Sequence, residues 1–326
     1  MWLRAGFAMG VLAVTGWASA PVGIPRELAT ERAAAISDIR YTLRFTIWPQ
    51  PNAHTVPGSE ELSFNLSKDG PLLLDFRGEN ARNLMLNGRS TPVVTENDHI
   101  VLPATSLERG ANLLSLEFDA PVGTAGQAIT RYEDKEDGSV YFYTLFVPMD
   151  ASAAFPCFDQ PDLKARFTVN IIRRNGDIVI ANAKHKLEDG MGLFALDTFE
   201  ETEPISTYLV AFAVGPFQSV HHQDGMPDVY VRHSQVARAQ SEIPAVQQVT
   251  ADGIKFLSGY FDQPFPFSKY DMVLIPGFPF GGMWSTRVQR SSMKTACCFA
   301  ARPRKTTVSA AILSCSTNSL TNGSAT

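Results

Sequence analysis

The sequence predicts a mainly β protein: an N-terminal antiparallel β-sandwich followed by the truncated start of a mixed α/β unit. Three observations carry this. A strictly alternating apolar–polar stretch opens the body of the chain, and nine more short strand candidates follow it with turn residues between them. The periodicity then switches to helical spacing near residue 234. A length of 326 residues leaves room for two such units, and 44% hydrophobic with 19% charged residues is ordinary for a globular protein.

The first 20 residues read as a secretory signal. Arg4 supplies a positive end, "AGFAMGVLAV" (5–14) an apolar run, and Ala18-Ser19-Ala20 a small-residue cleavage pattern. Pro21 directly after that pattern is awkward for cleavage, which leaves the position of the cut open. The run is too short to span a bilayer comfortably. An exported protein, periplasmic or extracellular and without an integral membrane span, is expected; a buried N-terminal helix is the alternative.

The sandwich is expected over residues 21–233. In "SDIRYTLRFTIWP" (37–49), Ile39, Tyr41, Leu43, Phe45 and Ile47 share one face and Arg40, Thr42, Arg44 and Thr46 the other, the pattern of a half-buried strand. Further strands are expected at 61–66, 71–76, 99–103, 112–118, 140–147, 166–172, 177–183, 207–215 and 228–233. Turn signals such as Lys68-Asp69-Gly70 and Asn87-Gly88 separate them. Many short strands without an intervening helix indicate a sandwich or barrel.

Residues 234–283 open the second unit. In "SEIPAVQQVTADGIKFLSGYF" (241–261) Val246, Val249, Gly253, Leu257 and Tyr260 fall on one helical face, with Pro244 placed in a first turn. An aromatic–proline loop and a buried strand, Met272 to Ile275, follow. About 50 residues are too few for a stable core of their own.

All 33 acidic residues lie before Trp284, so the net charge of −5 hides a more acidic body and a basic tail. An acidic body argues against nucleic-acid binding. Of the four cysteines only Cys157 lies in the body, and no C-x-x-C pair exists, so neither a disulfide nor a zinc framework is indicated. His221, His222 and Asp224 form the only histidine cluster; neighbours on a strand point to opposite faces, and a solvated loop is the favoured reading. His54, His99, His185 and His233 are isolated.

Two stretches resemble the zinc aminopeptidases of the aminopeptidase N type. "AFPCFDQPDLKARFTV" (154–169) is similar to a signature of their N-terminal β-domain, with Pro156, Cys157, Phe158, Asp159 and Pro161 in it. "YFDQPFPFSKYDMVLIPGFPFGGM" (260–283) is similar to the opening of their thermolysin-like catalytic domain. The likeness covers roughly residues 37–283. It implies peptide substrates and zinc as cofactor. Asp159 in the signature could be taken for a catalytic acid; a structural role holding the β-domain against its neighbour is the favoured reading. The likeness also implies that Gly281, Gly282 and Met283, the first three residues of a G-x-M-E-N motif, contact bound peptide through exposed backbone groups; two turn glycines are the alternative. In this family a Glu after the Met binds the substrate ammonium, and H-E-x-x-H about thirty residues later supplies two zinc ligands and a base. Here position 284 is Trp and no His follows His233. A T-Q-x-E stretch that lines the family's amine pocket is Thr144, Leu145, Phe146, Val147 here, so both polar positions are apolar.

The tail from Trp284 to Thr326 contains no Asp or Glu. It reads as a shifted frame. Joining each codon's third base to the first two of the next lets "STNSLTNGSAT" (316–326) spell His, Glu, Leu, Thr, His, Gln, Trp, Phe, Gly, Asn with permitted wobble bases. The same shift turns Trp284 and Ser285 into Glu, 32 codons before the first of those histidines. Residues 284–326 are therefore expected to be an out-of-frame, disordered tail; a genuine low-complexity tail is the alternative. On this reading the chain is a fragment of a zinc aminopeptidase, without metal ligands and inactive as written. The competing readings are a non-catalytic exported β-sandwich binding module and an epoxide-hydrolase-like relative.

Overall fold

The computed structural model describes residues 19–48, 53–220, 223 and 226–277, and the backbone of a strand at Ala296–Phe299. The chain enters through a helix, Arg26–Ala35, that the strand pattern did not indicate. Its composition explains it: Pro25 fixes the entry, Glu27 faces the positive helix end, and Ala, Leu and Arg favour the helix interior. Leu28, Arg32 and Ala35 form its buried side.

The main sheet follows from the alternation. In strand Ile36–Ile47 the five predicted inward residues are all buried, and the strand lies between Thr55–Leu66, antiparallel, and Ala165–Arg174, parallel. From one edge to the other the strands run Ile178–Ala181, Phe212–Gly215, Val140–Thr144, Ile129–Glu133, Gly110–Gly123, Thr55–Leu66, Ile36–Ile47, Ala165–Arg174, Phe194–Phe199 and His185–Met191. Glu79–Leu86 adds to Gly110–Gly123 off this path. Within the expected β-sandwich two strand pairs run parallel rather than antiparallel. Ile36–Ile47 pairs in parallel with Ala165–Arg174, and Val122–Gly123 with Ile129–Thr130. The first pair needs a long crossover, which the 117 residues between those two strands provide. A three-stranded sheet, Leu72–Asp75, His99–Leu102 and Thr95–Glu96, completes the first unit. The inner faces meet in one aromatic-rich core in which Tyr41 stacks on Phe167 at 4.9 Å and Phe155 packs edge-on to both.

Two expected elements differ. The strand expected from residue 207 begins only at Phe212, because Ser206 and Thr207 turn their hydroxyls onto Pro161 and Asp159 and the chain forms a short 3-10 turn there. The second helix runs Val236–Tyr260, so Pro244 lies inside it rather than in its first turn. Its buried side is Ala239, Ile243, Gln247 and Thr250, not the Val249–Tyr260 face the spacing suggested. That side packs on a sheet ordered Phe217–Val220, Asp228–Arg232, Asp271–Leu274 and Ala296–Phe299.

Candidate functional site

Of the signature residues, Pro156, Cys157, Phe158 and Asp159 are buried in the sandwich, and Pro161 lies at its surface. Cys157 pairs its backbone with Asp75 on the edge of the three-stranded sheet, its N–H donating to the Asp75 carbonyl at 2.9 Å and its carbonyl accepting at 2.8 Å. Phe158 N–H donates to Tyr41 Oη at 3.1 Å, and Asp159 N–H donates to Asp75 Oδ2 at 2.8 Å. The Asp159 carboxylate accepts from Ser152 N–H at 3.0 Å and from Thr207 Oγ1 at 2.7 Å, while Pro161 O accepts from Ser206 Oγ at 2.6 Å. Every one of these contacts ties the loop to another element, and Asp159 is 1% exposed. No path leads from it to a substrate.

Asp75 is the hub, and sequence reasoning missed it. Arg32 grips its carboxylate with two nitrogens at 2.6 and 2.9 Å, and His99 Nδ1 lies 2.7 Å away. Burial pushes the Asp75 carboxyl up, but His99 and the Arg32 guanidinium outweigh it and hold the group below the usual carboxylate range. Burial raises the Cys157 thiol well above its ordinary value, so Cys157 is an inert core residue rather than a nucleophile. Residue Glu60, on the inner face between Leu43 and Leu116, is 4% exposed with no partner for either oxygen, and burial raises its carboxyl well above normal.

The second cluster lies where the two units join. The loop after Ile129–Glu133 reaches the linker: Asp134 Oδ2 accepts from Arg232 Nη1 at 2.5 Å and Ser234 Oγ at 2.6 Å, and Arg232 lies over the Tyr132 ring at 5.5 Å. Tyr141 Oη accepts from His233 N–H at 2.9 Å. Two residues along the same strand, Tyr143 Oη donates to Gly277 O at 2.8 Å. A Cβ on Gly277 would meet Ala125 Cβ at 3.2 Å and Tyr143 Oη at 3.3 Å, so a glycine suits this close approach. The sandwich therefore holds the chain at Gly277, four residues before the expected peptide-contacting glycines. Gly281, Gly282 and Met283 lie outside the described residues, as do His221, His222 and Asp224 and the acid-free tail apart from the Ala296–Phe299 backbone.

Beside this junction Thr144 binds back to Phe212 through its hydroxyl, Phe146 enters the core at 2% exposure, and Leu145 and Val147 are half-buried. Leu145 and Val147 thus offer no polar side chain beside the junction, as the sequence reads. Among the described residues no three His, Cys, Asp or Glu side chains stand together to hold a metal ion. The nearest approach to a ligand set, His99 with Asp75, already spends both ring nitrogens on protein oxygens. A zinc ion does not fit these residues. Among the described residues no helix is long and apolar enough to cross a membrane.

The Peptidase M1 N-terminal domain profile matches residues 38–209. The chain is 30% identical over 270 residues to aminopeptidase N of Streptomyces lividans, covering 80% of this chain and 30% of that protein. It is 28% identical over 271 residues to glutamyl aminopeptidase of Bos taurus, covering 76% and 28%. Against aminopeptidase M1 of Arabidopsis thaliana it is 29% identical over 266 residues, covering 75% and 29%. The chain thus spans under a third of the length of these relatives.

Proposed function

The chain belongs to the Peptidase M1 family, and from that premise we propose that it is the N-terminal β-domain and the first part of the catalytic domain of an exported zinc aminopeptidase, read out of frame after Met283. In frame, the protein removes N-terminal residues from peptides. As written, the chain neither holds zinc nor hydrolyses peptides.

What supports this is that the residues after Met283, with permitted wobble bases in a shifted frame, can spell Glu directly after Met283 and His-Glu-Leu-Thr-His beginning at codon 316, in the order and at the distance the family's chemistry requires. The Tyr143–Gly277 contact supports it from the structural side, because the β-domain already fixes the chain that leads to the peptide-contacting glycines. We read Pro156, Cys157, Phe158, Asp159 and Pro161 as structural, on the strength of the burial of the first four and of the hydrogen bond that Pro161 O accepts from Ser206. Apolar Leu145 and Val147 remove acceptors that a desolvated ammonium needs. The in-frame enzyme should therefore discriminate less sharply between peptides with free and blocked N-termini than a relative with polar groups there.

The test is metal content and hydrolysis measured side by side. The 326-residue chain, purified without a tag, should contain no stoichiometric zinc and leave aminoacyl anilides intact. The chain continued in the shifted frame after Met283 should gain both. Zinc at one equivalent in the 326-residue chain contradicts the proposal. A frame-restored chain that folds, stays metal-free and binds peptide would favour the non-catalytic binding module instead.

A further inference from the structure

Residues Ser19–Ile24 belong to the folded sandwich, and the way they are held bears on where the chain is processed. Ala20 is 3% exposed and packs with Leu28 and Leu73, with Ile24 and Val101 closing around them. Its carbonyl accepts a hydrogen bond from Asn97 Nδ2 at 2.7 Å. Asn97 and Asp98 both have positive φ, 47° and 65°, the geometry of a tight two-residue hairpin turn between Thr95–Glu96 and His99–Leu102. That turn presents the Asn97 amide in a fixed position. The carbonyls of Pro21 and Gly23 face His99 Nε2 at 3.1 and 3.0 Å, while Nδ1 faces Asp75. The ring thus bridges the strap carbonyls on one side and the Asp75 carboxylate on the other. The strap is thus fastened to the same ionic centre, Arg32–Asp75–His99, that holds the signature loop.

We propose that the exported chain is cut between Ala18 and Ser19, so that the mature protein begins Ser19-Ala20-Pro21. This rests on the export reading above. The sequence offers two small-residue patterns, Gly16-x-Ala18 and Ala18-x-Ala20. A cut after Ala20 places Pro21 on the far side of the broken bond. It also discards the residue that fills the Leu28–Leu73 pocket and the acceptor of the Asn97 amide. The new ammonium would then sit on Pro21, beside that apolar pocket, where a positive charge is poorly solvated. A cut after Ala18 keeps Ala20 in place and puts the ammonium on Ser19, which is exposed. The step is a hydrolysis by an export-coupled endopeptidase. Water gives its hydroxyl to the Ala18 carbonyl carbon, and the Ser19 nitrogen leaves as the ammonium.

The test is N-terminal sequencing and intact mass of the chain recovered from outside the cytoplasm of an expressing bacterium. Ser19 as the first residue is the expected result. Pro21 as the first residue overturns the proposal and leaves export standing; a retained Met1 overturns both. A second measurement addresses the physical reason directly. Purified chains that begin at Ser19 and at Pro21 should differ in melting temperature, the shorter one melting about 2–4 °C lower. Equal melting temperatures contradict the role assigned to Ala20.

Discussion

Two helices in this molecule meet their sheets very differently. Helix Arg26–Ala35 drives Arg32 to 1% and Leu28 to 3% exposure and is welded to Asp75 and to the strap before it. Helix Val236–Tyr260 is more than twice as long, yet it covers one side only. Val249, Phe256 and Tyr260 on its other side are 64, 68 and 72% exposed, and the ring contacts of Phe256 and Tyr260 are with each other and with Phe261 just past the helix end. The short helix ends a unit whose inner faces all meet one another. The long one carries two apolar faces, only one of them answered by its own sheet. The difference teaches that the first helix and the strands up to Gly215 close around one core, whereas the second helix and its sheet, from Phe217 on, meet that unit through Asp134, Tyr141 and Tyr143 and an apolar cluster of Ile180, Ala213, Phe217 and Val273. An open apolar face agrees with the reading that the encoded continuation of this domain lies in another frame.

The contrast can be broken most forcefully at Asp75. Asp75→Ala leaves Arg32 and His99 without their buried counter-charge and should cost about 3–5 kcal/mol in urea unfolding. Because the Asp75 carboxyl is held below its unfolded value, its contribution is complete above the ordinary carboxylate range and is lost as pH falls through the lowered value. Asp75→Asn should therefore flatten the acid side of the stability profile; an unchanged profile contradicts the hub role.

Glu60 sharpens the comparison from the opposite side, as an uncompensated group inside the closed unit. Glu60→Leu should stabilise the chain by about 1–3 kcal/mol, the scale of a buried polar group without a partner. The folded carboxyl titrates above the unfolded one, so its part of the stability is full at low pH and declines as pH rises past the unfolded value. Glu60→Gln should remove that decline, which melting curves taken across the carboxylate range and above it would reveal.

At the junction, Tyr143→Phe deletes one hydrogen bond and should cost about 0.5–1.5 kcal/mol. Its clearer signature is local: limited proteolysis should cut faster between Phe261 and Gly277 with the sandwich fragment left intact. The smallest effect is expected on the open face, where Tyr260→Ser should change stability by about 0.5 kcal/mol or less. A larger loss, seen in the same unfolding experiment, would mean that this face is covered in solution.

The closed unit was largely legible because alternation encodes inward and outward positions directly; Ile39 to Ile47 needed no tertiary information. Helix Arg26–Ala35 is hard to read because its ten residues bury only Leu28, Arg32 and Ala35, which leaves Pro25 and an Ala-, Glu- and Arg-rich run as its signals rather than an apolar stripe. Asp75 could not be read as a hub, since its partners Arg32, His99 and Asp159 come from three separate elements that only the fold brings together. The face of the second helix was misassigned for a related reason. Its spacing supports two apolar stripes, and which one meets the sheet depends on where strand Asp271–Leu274 lands. Gly277 carried no signal of its own; the close approach of Ala125 and Tyr143 gives it meaning.

The central claim, that the chain leaves its own frame after Met283, is open to one direct measurement: the nucleotide sequence of the gene from codon 278 past codon 326. Read from the third base of codon 284, it should give Glu first and His-Glu-Leu-Thr-His from the third base of codon 316, and then continue as an open frame. Wobble bases that spell other residues at those positions would contradict the account and leave the acid-free tail as a genuine part of the protein.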